Sequence, residues 1–446
     1  MAAEGPHLLL VHTAGDPRPY IDRLRRRGFR FSLIKKHPSA ADRDCFDQVV
    51  DWDYQEGLPR TLELAADLHR DHPVSGVLSF SESGVIAASL VAQHLGLPGN
   101  PPQAALRARN KFLMRQTLQR AGLPTPPFHL VRDASQIHTL LQAAAQPMVL
   151  KPISGSSSYG VTRLTPDHSE AQIDTRLGDV RSYIRAYRQH NPQYPFEFWL
   201  PPAGLGIPAE EVFSPEDDFL LEGFIPGQQF SVDGLACGDQ ITCLGVIEIE
   251  RIKDSAYFME YEEWMPTRLG PEREKEIQEA VTQAVRALGL ERSCFHCEVK
   301  LNPEGIFVLE VAARRGADNI ADFLQQVLGV DIYEEGLRLA CGEPRFYPAL
   351  QRRCCMKMRY FLPPASGTLE AIEGIEAVGG DPRVSELEFE VSPGDAVLTP
   401  PDGYEFLGYL SVRGATPAAA ETALEELYPR IQFHITPTAA PALALP

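Results

Sequence analysis

The sequence feature that most constrains the fold is residues 294–316, CFHCEVKLNPEGIFVLEVAARRG, which alternate like two buried strands joined by a turn. If Pro303, Glu304 and Gly305 form a three-residue hairpin loop, Glu298 lies directly opposite Glu310. Side chains alternate between the two faces of a strand, so one face is predicted to be apolar, formed by Cys297, Val299, Leu301, Phe307, Leu309 and Val311. The opposite face carries the polar side chains His296, Glu298, Lys300, Glu310 and Arg314.

Two glutamates that face each other on a sheet need something to balance their charges. Like charges at such positions destabilise a sheet, and a carboxylate removed from water needs a partner. A divalent cation would be such a partner for Glu298 and Glu310. The other interpretation is a solvated sheet face on which Lys300 and Arg314 neutralise the glutamates. The hairpin alone leaves both interpretations open.

The length and charge of the chain limit its domain count and its partners. With 446 residues it is expected to form about three domains of roughly 150 residues each. Its 42 Lys and Arg against 60 Asp and Glu give a formal charge of -18, which argues against nucleic acids and anionic membranes as partners. The N-terminus has no basic segment before its short apolar run, and no window reaches the ~18 apolar residues of a membrane helix. We therefore expect a cytoplasmic protein.

Alternating strand and helix patterns in the first hundred residues predict a parallel sheet. The strand patterns are HLLLVHT, FRFSLIKK and VSGVLSF, and the helix patterns include PYIDRLRRRG and GVIAASLVAQHLGLPG. Such a lobe is Rossmann-like, but the G-x-G-x-x-G fingerprint of dinucleotide-binding domains is missing. Strand and helix patterns alternate again from about residue 353, and the tail TPTAAPALALP is of low complexity. No element is assigned to residues 181–215.

A lysine at the end of a predicted strand precedes a loop rich in glycine and serine, at about residues 151–161. Small residues let backbone N–H groups approach phosphate oxygens, hydroxyl groups add donors, and the ammonium group of the lysine supplies charge. The candidate phosphate-binding residues are Lys151, Ser154, Gly155, Ser156, Ser157, Ser158 and Gly160. The P-loop pattern G-x-x-x-x-G-K-[ST] is absent from the sequence, so a Walker-type nucleotide fold is disfavoured.

The order of four segments resembles the ATP-grasp superfamily: RNKFLMRQTLQRAGLPTP, VLKPISGSSSYGV, LLEGFIPGQQFSVDG and FHCEVKLNPEGIFVLEVAARRG. The last hundred residues look like the C-terminal domain of its L-amino acid ligase branch. The resemblance spans nearly the whole chain and implies a multidomain protein of mixed α/β and α+β class. Its expected parts are a Rossmann-like N-terminal lobe (1–105), a two-lobed ATP-grasp core (106–345), a small α+β domain (346–435) and a disordered tail (436–446).

The resemblance also implies which residues bind the nucleotide. Lys111 and Lys151 would neutralise the phosphates of ATP. The hinge that reads the adenine edge would consist of Glu222, Gly223, Phe224 and Ile225. Most relatives have a glutamate at the position of Gln229, where it binds the ribose hydroxyls, and a glutamine can still form a hydrogen bond with a hydroxyl.

Glu298 and Glu310 match the magnesium carboxylates of the superfamily, so the resemblance implies magnesium at this site, with manganese as an alternative. Many members have Glu-x-Asn on the second strand, and this chain lacks that further ligand because Ala312 replaces the asparagine. Arg314 fits the Glu-x-Ala-x-Arg variant of the ligase branch and could hold a phosphate or a carboxylate through its fork. The expected catalytic residues are Arg314 and Lys151. Substrate contacts are expected from Glu260, Trp264, Arg314 and Gly316, and the alternative for the acidic segment at 260–263 is a solvated loop.

The activity implied by the resemblance is the ATP-dependent joining of a carboxylate to an amine through an acyl phosphate, with release of ADP and phosphate. Two amino acids are the expected small-molecule substrates, and a dipeptide is the expected product. One alternative is an ATP-grasp ligase that uses a non-amino-acid carboxylate in natural-product biosynthesis. Another is an ATP-binding sensor without turnover, which Gln229 and Ala312 would favour. The sequence does not identify the two substrates. It also leaves the oligomeric state open, and a homodimer is one of the states it allows.

Overall fold

The computed structural model describes residues 5–13, 15–52, 57–155, 160–190, 213–214, 216–252, 258–317, 319–399 and 406–437. The predicted fold class is confirmed, because the described chain is a mixed α/β, multidomain protein with several sheets. Within the described ranges, no helix has the length and apolar content needed to cross a membrane.

The N-terminal lobe is built on a parallel sheet, as the alternation of strands and helices predicts. Its strands are β1 (His7–Val11), β2 (Arg30–Lys35), β3 (Gln48–Asp51) and β4 (Gly76–Leu78). They pair in the order β3-β2-β1-β4. The helices of this lobe are Arg18–Arg25, Ala40–Cys45, Gly57–Asp71 and Val85–Leu95. Leu8, Leu9 and Leu10 in β1 are wholly buried, because helices cover both faces of the sheet.

A small antiparallel sheet follows the helices Pro102–Arg109 and Lys111–Arg120. Its strands are β5 (Phe128–Val131), β6 (Met148–Pro152), β7 (Thr162–Leu164) and β8 (Phe219–Gly223), in the order β5-β8-β6-β7. The helices Ala134–Ala144 and Glu170–His190 cover one face and bury Leu150 and Leu221. Because side chains alternate along a strand, Lys151 and Glu222 point away from these helices.

A larger antiparallel sheet forms the centre of the molecule. Its strands are β9 (Gln228–Cys237), β10 (Gln240–Arg251), β11 (Glu260–Met265), β12 (Arg292–Asn302), β13 (Gly305–Ala312), β14 (Cys355–Phe361), β16 (Val384–Phe389) and β18 (Gly408–Gly414). Their order is β13-β12-β9-β10-β11-β14-β18-β16. The helix Pro271–Leu288 packs on this sheet, with Ile277 and Val281 buried in the same core as Phe295. The helix Ile320–Phe323, which continues as a π-helical turn at Leu324–Leu328, and the helix Ile332–Ala340 follow β13.

The C-terminal segment is α+β, as predicted, but it shares the large sheet with the rest of the chain. The antiparallel pair of β11 and β14 makes the connection. A separate sheet in the order β17-β15-β19 consists of β15 (Gly367–Glu373), β17 (Ala396–Val397) and β19 (Gln432–Pro437). The helices Ile375–Gly379 and Pro417–Leu427 complete the segment. The predicted disordered tail is wrong for Thr436 and Pro437, which belong to β19, and residues 438–446 lie outside the described chain.

The hairpin of β12 and β13 has the predicted opposition of Glu298 and Glu310, but it is built differently. Asn302 pairs with Gly305, so the loop contains two residues instead of the predicted three. The register then shifts between the Val299–Val308 and Glu298–Glu310 pairs. Leu309 is therefore the extra residue of a β-bulge, and this bulge compensates for the shorter loop.

The bulge also changes which side chains of β13 reach the core. Val308 is buried with Cys297 and Val299, whereas Leu309 lines a polar cleft on the other side of the sheet. Phe307 pairs with Lys300, which lines the same cleft. The prediction that Phe307 and Leu309 belong to the apolar face is therefore wrong, because the shorter loop shifts the alternation of β13 by one residue.

Candidate active site

A cleft of about 360 Å³ lies between the small sheet and the large sheet. It brings together most of the predicted site residues, namely Lys111, Lys151, Gly155, Glu222, Gly223, Phe224, Ile225, Gln229, Glu260, Glu298, Glu310 and Arg314. Four others do not line it: Ser154, Gly160, Trp264 and Gly316. Ser156, Ser157 and Ser158 lie outside the described residues.

Lys111 and Lys151 are buried lysines whose ammonium groups face the cleft. Each of these two residues is only 8 % exposed. Lys111 Nζ lies 2.9 Å from Glu310 Oε2 and donates a hydrogen bond to the carbonyl oxygen of Gly155. Lys151 Nζ lies 2.5 Å from Glu222 Oε1, and burial lowers the pKa of Lys151 although this carboxylate opposes the change. Ordinary surface lysines would not be held in this way.

Glu222 is a buried carboxylate held by two cations. Arg115 donates from Nε to Glu222 Oε2 at 2.6 Å, and Lys151 approaches Oε1. Burial by itself would raise the pKa of Glu222, but Arg115 and Lys151 lower it to about 2. Protein cations therefore engage both carboxylate oxygens of Glu222.

The ring of Phe224 lines the cleft and lies close to two cations. Arg163 lies 4.5 Å and Lys300 lies 5.1 Å from the centre of this ring. Lys300 also donates a hydrogen bond to the carbonyl oxygen of Ile225 at 3.0 Å. These contacts connect the segment after β8 to the hairpin of β12 and β13, because Lys300 belongs to β12.

The carboxylates of Glu298 and Glu310 share the cleft, and a quarter of each side chain remains accessible (26 % and 25 %). Among the described residues there is no group of three or more His, Cys, Asp or Glu side chains that could hold a metal. Magnesium keeps several waters or phosphate oxygens in its coordination sphere, so two facing carboxylates fit this ion when a nucleotide supplies further oxygens. Ala312 also lines the cleft, and its methyl side chain cannot act as a metal ligand.

Gln229 is fixed by hydrogen bonds on both sides of its amide. Its Nε2 donates to Glu298 Oε2 at 3.0 Å, and its Oε1 accepts from Arg251 Nε at 2.6 Å. A glutamate at this position would place another negative charge against Glu298. The glutamine instead donates a hydrogen bond to Glu298, one of the two carboxylates predicted to bind a metal.

His296 and Asp233 form a buried pair behind Glu298. Asp233 Oδ2 lies 2.8 Å from His296 Nδ1, and Asp233 Oδ1 accepts a hydrogen bond from the backbone N–H of Gly316. Burial disfavours the charged imidazole, but Asp233 and Glu298 raise the pKa of His296 to about 10. The polar face of the hairpin predicted the position of His296, whereas no sequence signal identified Asp233.

Arg314 reaches the cleft from the end of β13 and meets the N-terminal lobe there. Its Nε lies 2.5 Å from Glu82 Oε2, and Arg109 Nη1 donates to Glu82 Oε1 at 2.9 Å. Burial would raise the pKa of Glu82, but Arg314 and Arg109 lower it to about 2. Glu82 lies in a short turn after β4 and carries no sequence pattern that would have predicted this contact.

The predicted substrate residues separate into two groups. Glu260 lines the cleft and lies 3.4 Å from Arg251. Trp264 does not, because its ring packs against Arg268 (4.2 Å) and Lys357 (4.9 Å) away from the cleft. Gly316 supports Asp233 instead of lining the cavity. Sequence reasoning missed further lining residues, among them Arg251, Glu390 and Phe406.

Comparisons with known proteins agree with this architecture. Three protein-family models match the chain: an ATP-grasp N-terminal domain at residues 31–99, an ATP-grasp domain at 208–322, and an L-amino acid ligase C-terminal domain 2 at 359–436. The chain contains ATP-grasp domains and an L-amino acid ligase C-terminal domain. It has the fold of a solved L-amino acid ligase from Bacillus licheniformis, with a TM-score of 0.81 and 20 % identity over 98 % of this chain and 100 % of that one.

Curated relatives of the chain include named synthases and ligases. Carnosine synthase 1 of Gallus gallus is 26 % identical over 84 % of this chain and 40 % of its own length. Alanine–anticapsin ligase of Bacillus subtilis strain 168 is 25 % identical over 70 % of this chain and 66 % of its own length. The chain therefore spans less than half of the length of the carnosine synthase that it matches.

Proposed function

We propose that this protein is an ATP-dependent carboxylate–amine ligase that joins two amino acids or related small molecules. The observation that carries the proposal is the pairing of charges in the cleft. Two buried lysines, Lys111 and Lys151, line the same cleft as two facing carboxylates, Glu298 and Glu310, and Lys111 contacts Glu310. Phosphoryl transfer needs positioning and charge neutralisation more than it needs a nucleophilic side chain.

In the proposed reaction, one substrate carboxylate attacks the γ-phosphorus of ATP and ADP leaves. The resulting acyl phosphate is attacked at its carbonyl carbon by the neutral amine. The C–N bond forms, phosphate leaves with the bridging oxygen as the C–O bond breaks, and the nitrogen releases its proton to solvent. The ammonium groups of Lys111 and Lys151 neutralise the phosphates, and the fork of Arg314 orients a carboxylate or phosphate oxygen. Glu298 and Glu310 would hold magnesium, which would supply positive charge for the nucleotide phosphates.

The acceptor amine is assigned to the wall of the cleft near β11. Glu260 and Glu263 line this wall and could hold an ammonium group. The names of the relatives support amino-acid substrates, because they include carnosine synthase and alanine–anticapsin ligase.

The test is a screen of amino-acid pairs with ATP and magnesium, in which phosphate release is measured and products are identified by mass spectrometry. The proposal expects ADP, phosphate and an amide product in equal amounts, and only when both an amine and a carboxylate are present. Product from a non-amino-acid carboxylate would redirect the proposal to that substrate class. Binding of ATP without turnover for any pair, including such carboxylates, would indicate a sensor and contradict ligase activity.

A further inference from the structure

One face of the helix Lys111–Arg120 contacts both walls of the cleft. Lys111 and Arg115 are four residues apart and therefore lie on the same side of the helix. Lys111 contacts Gly155 beyond β6 and Glu310 in β13. Arg115 contacts Glu222 in β8 and the backbone of β13. This helix face thus connects the small sheet to the hairpin of β12 and β13.

Arg115 makes the more buried of these connections. Its exposed fraction is 0 %, and its Nε and Nη2 donate to the two carboxylate oxygens of Glu222 at 2.6 and 3.3 Å. The same Nη2 donates to the carbonyl oxygen of Leu309 at 2.8 Å. Glu222 in turn holds Lys151. A single guanidinium group therefore connects the candidate phosphate lysine to the hairpin.

The contact with Leu309 falls on the irregular residue of the hairpin. Leu309 is the extra residue of the β-bulge, and such a residue is left out of the regular ladder of hydrogen bonds. Arg115 supplies a donor to its carbonyl oxygen, so the bulge is fixed from outside the sheet. Because Glu310 is the next residue, the position of its carboxylate depends on how the bulge is held.

We propose that Arg115 is a positioning residue that aligns Lys151 and Glu310 on the same nucleotide. Its contact with Glu222 sets the position of the lysine, and its contact with Leu309 sets the position of the carboxylate. This inference rests on the proposed function, because it assumes that the cleft binds a magnesium nucleotide. An arginine suits this role, since its fork can serve two acceptors at fixed angles and a lysine cannot.

A purely structural role would be neutralisation of the buried Glu222, and the chain contains a matched control for it. Glu262 is also buried, at 5 % exposure, and it is also held by one lysine and one arginine, Lys357 and Arg359. None of these three residues lines the cleft. A substitution of Arg359 therefore reports the cost of disturbing a second buried glutamate that one lysine and one arginine hold, without touching a residue that lines the candidate site.

The experiment measures binding of ADP by calorimetry over a range of magnesium concentrations, in the parent protein, R115K and R359K. In R115K the charge beside Glu222 remains but the contact with Leu309 is lost. We expect the magnesium concentration for half-maximal ADP binding to rise roughly 10- to 100-fold, the usual effect of removing a group that orients a metal ligand. We expect R359K to need the same magnesium concentration as the parent for half-maximal ADP binding, even if its thermal midpoint falls as much as that of R115K.

The outcomes separate this inference from the proposed function. If the parent binds ADP in a magnesium-dependent way and R115K needs no more magnesium than the parent, the positioning role of Arg115 is overturned and the proposed function stands. If R359K shows the same rise as R115K, the effect is a general loss of packing and the inference also fails. Absence of magnesium-dependent ADP binding in the parent would overturn both. Should R115K not fold, R115M carries the same test with the same expected rise, because Glu222 keeps its ion pair with Lys151 when Arg115 is removed.

Discussion

Replacement of Lys151 by methionine tests the nucleotide assignment while keeping an unbranched side chain of similar length. The structure predicts a stability cost, because Lys151 is 8 % exposed and lies 2.5 Å from the carboxylate of Glu222. Arg115 still donates to both oxygens of that carboxylate, so Glu222 does not become an unpaired buried charge. We therefore expect a loss of about 1.5–3 kcal/mol, the contribution of one hydrogen bond to a charged group, and not the ~3–5 kcal/mol of a fully broken buried pair.

The larger effect of K151M should be on stabilisation by ATP. At an ATP concentration of about 100 times Kd, bound nucleotide stabilises the parent by about 2.7 kcal/mol. If the variant binds ATP 100-fold more weakly, the same concentration stabilises it by only about 0.4 kcal/mol. Urea denaturation with and without magnesium ATP measures both quantities.

The matched control for K151M is K357M, which removes a lysine of 6 % exposure from Glu262 outside the cleft. We expect K357M to lose stability by a similar amount and to keep the full stabilisation by ATP. Stabilisation of K151M by ATP that equals that of the parent would refute the assignment of Lys151 to the phosphates.

Three further predictions follow from the same structure. E310Q should abolish phosphate release. The unfolding free energy of the magnesium-free variant should stay within about 1 kcal/mol of the parent's, because removal of the repulsion from Glu298 offsets loss of the Lys111 contact. An active variant would contradict the metal site. R314K should keep magnesium-dependent nucleotide binding, but its turnover should fall about 100-fold, which corresponds to about 2.7 kcal/mol of activation free energy, because the guanidinium fork that reaches the cleft is lost. Unchanged turnover in the phosphate assay would count against this role. Burial, with Lys35 nearby, lowers the pKa of His12 from 6.5 to about 3, so the unfolded chain binds a proton that the folded one does not. Stability should therefore fall by about 1.4 kcal/mol per pH unit as pH decreases below 6.5 toward 3. H12N, which suits the left-handed backbone there (φ 62°), should give a shallower decrease in urea titrations, and equal slopes would show that His12 is not responsible.

The sequence predicted those features that are encoded locally. The parallel sheet of the N-terminal lobe follows from alternating strands and helices, and the polar face of β12 follows from the two-residue period of His296, Glu298 and Lys300. The opposition of Glu298 and Glu310 was predicted correctly although the loop was predicted one residue too long. A bulge has no local signal as distinct as a turn residue, so alternation could not predict that Leu309 enters the cleft.

Contacts between residues far apart in the chain were not predictable in this way. Arg115 and Glu222 are separated by 107 residues, and no pattern at either position indicates the pair. Trp264 was expected near the substrate because it follows Glu260, but it contacts Lys357, which pairs with it across β11 and β14. The same strand pair joins the C-terminal segment to the large sheet, a feature that depends on pairing between segments some 90 residues apart.

The central claim is that a carboxylate oxygen of the substrate attacks ATP, and oxygen-isotope transfer tests it most directly. A productive substrate pair is supplied with 18O in both carboxylate oxygens of the acid, and the released phosphate is analysed by mass spectrometry. The proposed route predicts one 18O atom in each phosphate released, because the bridging oxygen of the acyl phosphate leaves with phosphorus when the amine attacks. Unlabelled phosphate, or release of AMP and pyrophosphate in place of ADP and phosphate, would contradict it.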